Sequence, residues 1–132
     1  MDVTKITPDF EDERGAIADI LRQETIDYVT VITSKKGAKR GNHVHKETGQ
    51  YVYVMEGKLK ALSQMPGEAV NTAVLGKGDL IVNVPHEGHA FEALEDTTFL
   101  VLTKGPRGGE NYEDDTFRLD TPLQDPDQNS SA

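Results

Sequence analysis

The sequence contains no cysteine in its 132 residues. The chain therefore forms no disulfide, and any metal ion would have to be held by His, carboxylate, amide or water ligands. No apolar run approaches the roughly 18 residues that span a bilayer, and the N-terminus lacks the apolar segment of a secretory signal. We expect a cytoplasmic protein that does not contact a membrane.

Positive charge is scarce, with 14 Lys and Arg against 23 Asp and Glu and a net charge of −9. Seven acidic residues and only Arg118 follow position 109, so residues 110–132 carry −6 and residues 1–109 carry −3. This balance argues against nucleic-acid binding, which rewards basic stripes. The exception is a basic cluster around position 40, which is either a solvated turn or a surface that steers an anionic substrate. Its members are Lys35, Lys36, Lys39, Arg40 and Lys46.

Short segments rich in β-branched and aromatic residues recur along the chain, separated by turn residues. The predicted strands are Tyr28–Ser34, a strand carrying His43 and His45, Gln50–Glu56, Lys58–Gln64, Ala69–Leu75, Asp79–Val84, His89–Leu94 and Thr98–Thr103. Eight short antiparallel strands predict an all-β fold, namely a jelly-roll or double-stranded β-helix barrel. We expect one domain over residues 1–119 with its core at 28–103, and an acidic, disordered tail over residues 120–132.

Period-two alternation predicts which side chains of these strands face the interior. On the strand that begins at Gln50, the inward residues are Gln50, Val52 and Val54, and the outward residues are Tyr51, Tyr53 and Met55. His89, Phe91 and Ala93 share one face of a later strand. Because so apolar an outer face needs covering, we expect a homodimer.

Histidines are concentrated at positions that favour a metal site. His43 and His45 leave the same face of an extended strand about 6–7 Å apart, which suits two ligands of one ion. With His89 and Gln50 they predict a site for one divalent transition metal, with one or two positions left for water or substrate. Imidazoles favour Zn, Ni, Cu, Fe or Mn without choosing among them. Alternatively, Gln50 orients His45 or a water and no metal binds.

Further acid–base groups lie near His89. A bend at Pro85 and Gly88 would bring His86 and Glu87 to the mouth of the cavity, although both residues fit an exposed loop equally well. Tyr53 and Tyr112 are candidates by residue type alone.

Three motifs carry a resemblance to a known family. They are Asp12-Glu13-Arg14-Gly15, the run from Arg40 to Lys46 with Gln50 five residues after His45, and the run from His86 to Phe91. Roughly residues 9–119 resemble a small single-domain member of the RmlC-like cupin superfamily. The motifs are similar to those of dTDP-4-keto-6-deoxyhexose 3,4-ketoisomerases.

The resemblance implies roles for residues at the matching positions. His43 and His45 would move protons on a keto sugar without a metal. Arg40 would contact the diphosphate or the sugar, and Glu87 and Phe91 would also contact substrate. Other features resemble the metal-binding cupins, and Gln50 stands where these usually have Glu. An amide leaves the charge of a dication uncompensated, so a metal here would favour an anionic ligand.

Three hypotheses follow. The first is an isomerase or epimerase acting on a keto sugar or nucleotide sugar. The second is a metal-dependent dioxygenase or lyase acting on a small acid. The third is a carbohydrate-binding protein without enzymatic activity.

Overall fold

The computed structural model describes residues 1–106 and 114–126 of the chain. Twelve β-strands lie within these ranges. They are β1 (Thr4–Lys5), β2 (Phe10–Asp12), β3 (Gly15–Ile17), β4 (Tyr28–Ser34), β5 (Lys39–Val44), β6 (Gly49–Glu56), β7 (Lys58–Gln64), β8 (Asn71–Gly76), β9 (Asp79–Asn83), β10 (Gly88–Ala93), β11 (Thr97–Lys104) and β12 (Phe117–Arg118). In these two ranges no helix is long and apolar enough to cross a bilayer.

Ten of the strands form two five-stranded sheets. The first sheet has the order β1-β9-β6-β11-β4 and the second has the order β12-β5-β10-β7-β8, while β2 and β3 form a separate hairpin. The pairings within both sheets are antiparallel. Side chains buried from both sheets form a common core, as in a jelly-roll.

The predicted all-β barrel is confirmed, and the eight predicted strands correspond to β4 through β11. The bounds of β4 and β7 agree with the prediction at both ends, and most of the other bounds differ by one or two residues. Alternation on β6 is also confirmed, because Gln50, Val52 and Val54 are buried whereas Met55 is exposed. The strands β1, β2, β3 and β12 were not predicted.

The C-terminal segment corrects the prediction of a disordered tail. The backbone N–H of Leu123 donates to the side-chain oxygen of Asn42 at 2.8 Å. Asp125 is buried and forms an ion pair with Lys60. Residues 120–126 therefore pack on the second sheet, because a few specific contacts outweigh their polar composition. Residues 127–132 lie outside the described residues.

The barrel interior is layered, and this layering positions the site. Register pairs Thr103 with Gln50 and Gln50 with Asn83 in the first sheet, and Ser63 with His89 and His89 with His43 in the second. Two residues further along, the strands contribute apolar side chains, namely Val52, Ile81, Val101, Ala61 and Phe91. One end of the barrel is thus a polar layer resting on an apolar core.

Candidate active site

Three imidazole rings converge within the polar layer. The ring centroids of His43 and His45 lie 4.8 Å apart, those of His43 and His89 lie 4.6 Å apart, and those of His45 and His89 lie 5.1 Å apart. One nitrogen from each ring lies within 4.8 Å of the others. His45 and His89 are each only 2% exposed, whereas His43 is partly exposed. The structure brings these three predicted site residues together.

A bulge in β5 sets the direction of His43. Gly41 and Asn42 both have positive φ, at 89° and 58°, and the pairing of β5 with β10 shifts register between His89 and Ala90. A Cβ at Gly41 would lie 2.8 Å from the carbonyl oxygen of His89. Only glycine therefore permits this close approach of the two strands, which sets His43 beside His89.

His45 is oriented by the C-terminal segment. Its Nδ1 lies 2.6 Å from the backbone carbonyl oxygen of Asp115. A carbonyl oxygen only accepts hydrogen bonds, so Nδ1 carries the proton and donates it. In a neutral ring Nε2 then holds the lone pair, which is the form that binds a metal or accepts a proton.

The side chain of Asp115 fixes the loop that follows His45. Its carboxylate accepts hydrogen bonds from the backbone N–H groups of Lys46, Glu47 and Thr48 at 2.9–3.0 Å. Burial by itself raises the pKa of the Asp115 carboxyl, but these donated hydrogen bonds outweigh burial and hold the pKa below its ordinary value. The carboxylate is therefore a charged, buried anchor for this loop.

Gln50 completes the polar layer from the first sheet. Gln50 is 5% exposed, and its amide nitrogen donates a hydrogen bond to the hydroxyl of Thr103 at 3.3 Å. The amide oxygen is then the atom that can coordinate a metal ion or accept a hydrogen bond from a ligand. The side-chain oxygens of Asn83 and Ser63 are buried without a hydrogen-bond partner among the described residues. The layer thus holds polar groups whose hydrogen-bonding capacity its described residues do not use.

A pocket of about 460 Å³ opens onto this cluster. It is lined by Ile32, Lys39, Arg40, Gly41, Asn42, His43, Gln50, His89, Phe91, Phe99, Val101 and Arg118. Three of these residues, Lys39, Arg40 and Arg118, are cationic, and none of the lining residues in the described part of the chain is acidic. Arg40 is held by hydrogen bonds to the Ser34 hydroxyl at 2.7 Å and to the Thr33 carbonyl oxygen at 3.0 Å. The pocket therefore favours an anionic ligand despite the negative charge of the whole chain.

Two of the predicted substrate contacts, Arg40 and Phe91, line this pocket, whereas Glu87 does not. The Glu87 carboxylate instead accepts hydrogen bonds from the Asn83 side chain at 3.2 Å and the Val84 backbone N–H at 3.3 Å. Glu87 therefore stabilises the loop between β9 and β10.

The prediction that His86 reaches the cavity is wrong. His86 has a φ of 71° and is exposed, and it lines a different depression beside Lys46 and Met65. The left-handed backbone at this position turns the side chain away from His89, so of the two alternatives the structure has the exposed loop.

The placement of Tyr53 as an acid–base group is also wrong. Tyr53 pairs with Leu100 and Leu80 on the outer face of the first sheet, as alternation from buried Val52 requires. Tyr112 lies outside the described residues.

Two residues of the site were not found from the sequence. Asp115 anchors the His45 loop, and Arg118 reaches the pocket because β12 pairs with β5 and sets Arg118 opposite His43. Both lie between residues 110 and 119, which the prediction included in the domain but not in the site. The only signal was that Arg118 is the single cation among seven acids.

The residues present fit a divalent transition metal. Ligand nitrogens in a tetrahedral site lie about 3.4 Å apart when each is about 2.0–2.1 Å from the metal. The three histidine nitrogens lie within 4.8 Å of one another, so they would have to approach by up to about 1.4 Å to reach that spacing. His43, His45 and His89 would be the nitrogen ligands, and the Gln50 amide oxygen would be a fourth ligand.

Comparisons with known proteins identify a family and a fold. The family of polysaccharide biosynthesis C-terminal domains matches residues 10–116. No curated protein matches the sequence.

The solved structures that resemble the chain include RmlC-like dTDP-sugar 3,4-ketoisomerases and 3,5-epimerases, which have the cupin fold. One is a mutant of the 3,4-ketoisomerase QdtA from Thermoanaerobacterium thermosaccharolyticum in complex with TDP-4-keto-6-deoxyglucose, with 22% identity over 89% of this chain and 86% of that chain and a TM-score of 0.72. A 3,4-ketoisomerase from Helicobacter canadensis shares 18% identity over 89% of each chain, with a TM-score of 0.74. The dTDP-4-dehydrorhamnose 3,5-epimerase from Sulfolobus tokodaii shares 19% identity over 91% of this chain and 78% of that chain, with a TM-score of 0.70. At these identities the likeness establishes the cupin fold.

Proposed function

The chain belongs to the family of polysaccharide biosynthesis C-terminal domains, and on that premise we propose that it isomerises or epimerises a nucleotide-linked keto sugar. The observation that carries this proposal is a cluster of three imidazoles, two of which, His43 and His89, line a cationic pocket. The structural neighbours supply the substrate class, since they act on dTDP-sugars or were solved with one.

The pocket is suited to a sugar joined to a diphosphate. Its volume of about 460 Å³ lies within the range of small-molecule sites. Lys39, Arg40 and Arg118 offer charge-assisted hydrogen bonds to phosphate oxygens. Phe91 and Ile32 provide an apolar wall for the ring of the sugar. The diphosphate would thus hold the sugar with its keto group near the imidazoles.

The reaction requires a base that removes the proton on the carbon beside the keto group. His43 is the best placed of the three histidines, because it lines the pocket and is partly exposed. A neutral imidazole accepts this proton near neutral pH and leaves an enediolate. In an isomerisation the hydroxyl proton moves to the former keto oxygen and the imidazolium returns its proton to the former keto carbon, whereas an epimerisation needs a second proton donor on the opposite face of the sugar. His45 lies behind the pocket wall and supports the cluster.

One divalent metal ion held by His43, His45, His89 and Gln50 is part of the proposal as an alternative to metal-free proton transfer. Such an ion supplies Lewis acidity toward the keto oxygen of the substrate. In that arrangement His43 is a ligand, and the proton acceptor is a second group in the pocket. The metal content of protein purified without a His tag distinguishes the two forms.

Solvent exchange tests the proposed function. We expect the protein to incorporate deuterium beside the keto group of TDP-4-keto-6-deoxyglucose in heavy water, measured by NMR. His43→Asn should reduce the exchange rate by about 100-fold or more, because the proton acceptor is lost. The matched control is His86→Asn, which lies outside the pocket and whose left-handed backbone suits Asn. Absence of exchange by the wild-type protein, or equal loss in both variants, contradicts the proposal.

A further inference from the structure

We propose that Asp115 is a positioning residue for His45, fixing both the orientation of its ring and the nitrogen that carries its proton. The consequence for catalysis rests on the proposed function, whereas the structural content does not. Asp115 lies 70 positions from His45 along the chain and belongs to neither histidine motif. Its carboxylate accepts hydrogen bonds from three residues that do not line the pocket, so it acts through the loop and through His45.

The first step is the contact between the backbone of Asp115 and the ring. The 2.6 Å separation of His45 Nδ1 from the Asp115 carbonyl oxygen is a short hydrogen bond in which Nδ1 is the donor. The ring is thereby held in one tautomer, with Nε2 as the basic nitrogen. Partners of this kind orient metal-binding and catalytic histidines in general.

The second step is that the same residue fixes the chain on the other side of His45. One carboxylate oxygen accepts from the backbone N–H of Lys46, and the other accepts from those of Glu47 and Thr48. These three donors follow His45 directly in the chain. Asp115 therefore fixes His45 in two ways. Its backbone carbonyl oxygen binds the His45 ring, and its carboxylate binds the three residues that follow His45.

The third step is that residues 117–119, which follow Asp115, are bound to the barrel. Pairing of β12 with β5 sets Phe117 opposite Val44, and the Lys46 ammonium lies 4.2 Å from the centroid of the Phe117 ring. The backbone N–H of Leu119 donates to the Asn42 carbonyl oxygen at 2.9 Å. Residues 117–119 thus bind β5, the strand that contains His43, and this contact positions Asp115 beside His45.

Histidine tautomers measured by long-range proton–nitrogen NMR test this inference without substrate. The metal-free wild-type protein should show His45 protonated on Nδ1 at neutral pH, and the chain's four histidines make the assignment tractable. Asp115→Asn replaces one acceptor oxygen with a donor that faces backbone N–H groups. This variant should populate both tautomers of His45 and lower the affinity for Zn²⁺ alone by about 10- to 100-fold.

The matched control is Asp125→Asn, at the far end of the same segment, where the carboxylate pairs with Lys60 on the second sheet. This variant should leave the His45 tautomer and the Zn²⁺ affinity unchanged. Equal effects of both variants would reduce Asp115 to a general anchor of the segment and overturn the inference. A wild-type His45 protonated on Nε2 would overturn it even if Asp115→Asn failed to fold. A protein without turnover that showed the expected tautomers would refute the proposed function and leave this inference standing.

Discussion

At the scale of single residues, Gln50 is the position where this site departs most from the pattern of its fold. The metal-binding cupins, which the sequence resembles in part, usually carry Glu at this position. The buried Gln50 amide brings no charge to the histidine cluster. Three neutral imidazoles and an amide would leave a bound dication with its full charge, and such an ion would attract an anionic substrate. The cationic side chains at the pocket mouth act in the same direction.

We predict that Gln50→Glu strengthens divalent metal binding and destabilises the metal-free protein. A carboxylate neutralises part of the ion's charge, but without the ion it is a buried charge, and the Thr103 hydroxyl is the partner of the present amide, so we expect a cost of about 1–3 kcal/mol. Zn²⁺ titration and urea unfolding with and without Zn²⁺ measure both effects. The control is Gln64→Glu, a partly exposed position whose side chain bonds to the Glu68 carbonyl oxygen. Weaker Zn²⁺ binding by Gln50→Glu would mean that Gln50 is no ligand.

At the scale of secondary structure elements, the β5 bulge determines where His43 points. Two successive residues with positive φ, Gly41 and Asn42, precede it. The Asn42 side chain and backbone carbonyl then bind the C-terminal segment through Leu123 and Leu119. One irregularity in one strand therefore both aims a histidine and docks the segment that holds Asp115 and Arg118.

We predict that Gly41→Ala is more destabilising than Gly67→Ala, although both glycines have positive φ. At Gly67 an added Cβ meets nothing within 4 Å, so the cost is that of the left-handed backbone, about 1–2 kcal/mol. At Gly41 the Cβ would also press on the His89 carbonyl oxygen at 2.8 Å, which adds about 1–3 kcal/mol. Urea unfolding measures the difference. Equal free energies of unfolding would show that the two strands separate at little cost.

The strands of the barrel were predictable because local pattern and global fold agree there. Turn residues bracket β4 and β7, and burial of Gln50 follows from alternation along β6. The side-chain direction of His86 was not predictable, since a left-handed residue at a bend breaks the period of two. Asp115 was equally inaccessible, because its role depends on contacts across about 70 residues and on no local motif.

At the scale of the whole molecule, the outer face of the first sheet carries two rows of mainly apolar side chains. Register sets Val29, Leu102, Tyr51 and Val82 in one row across four strands, and Val31, Leu100, Tyr53 and Leu80 in a second row. Val29 and Val31 are 64% and 61% exposed, and Val82 is 44% exposed. The exposed valines and the partly exposed tyrosines and leucines of these rows form an apolar patch of a kind that monomeric proteins rarely leave uncovered, whereas Leu80 at its end is buried.

We predict that the protein is a homodimer in solution and that this face is the interface. A two-fold symmetric contact places the same two rows against each other, and a stable interface needs about 800 Å² from each partner. Val31→Lys sets a charge within the rows on the edge strand β4 and should shift the protein to monomers in sedimentation velocity experiments. Val74→Lys is the matched control, because it adds the same charge at a residue that is 55% exposed on β8 of the other sheet. A monomeric wild-type protein refutes the prediction, and dissociation by Val74→Lys alone would transfer the interface to the second sheet.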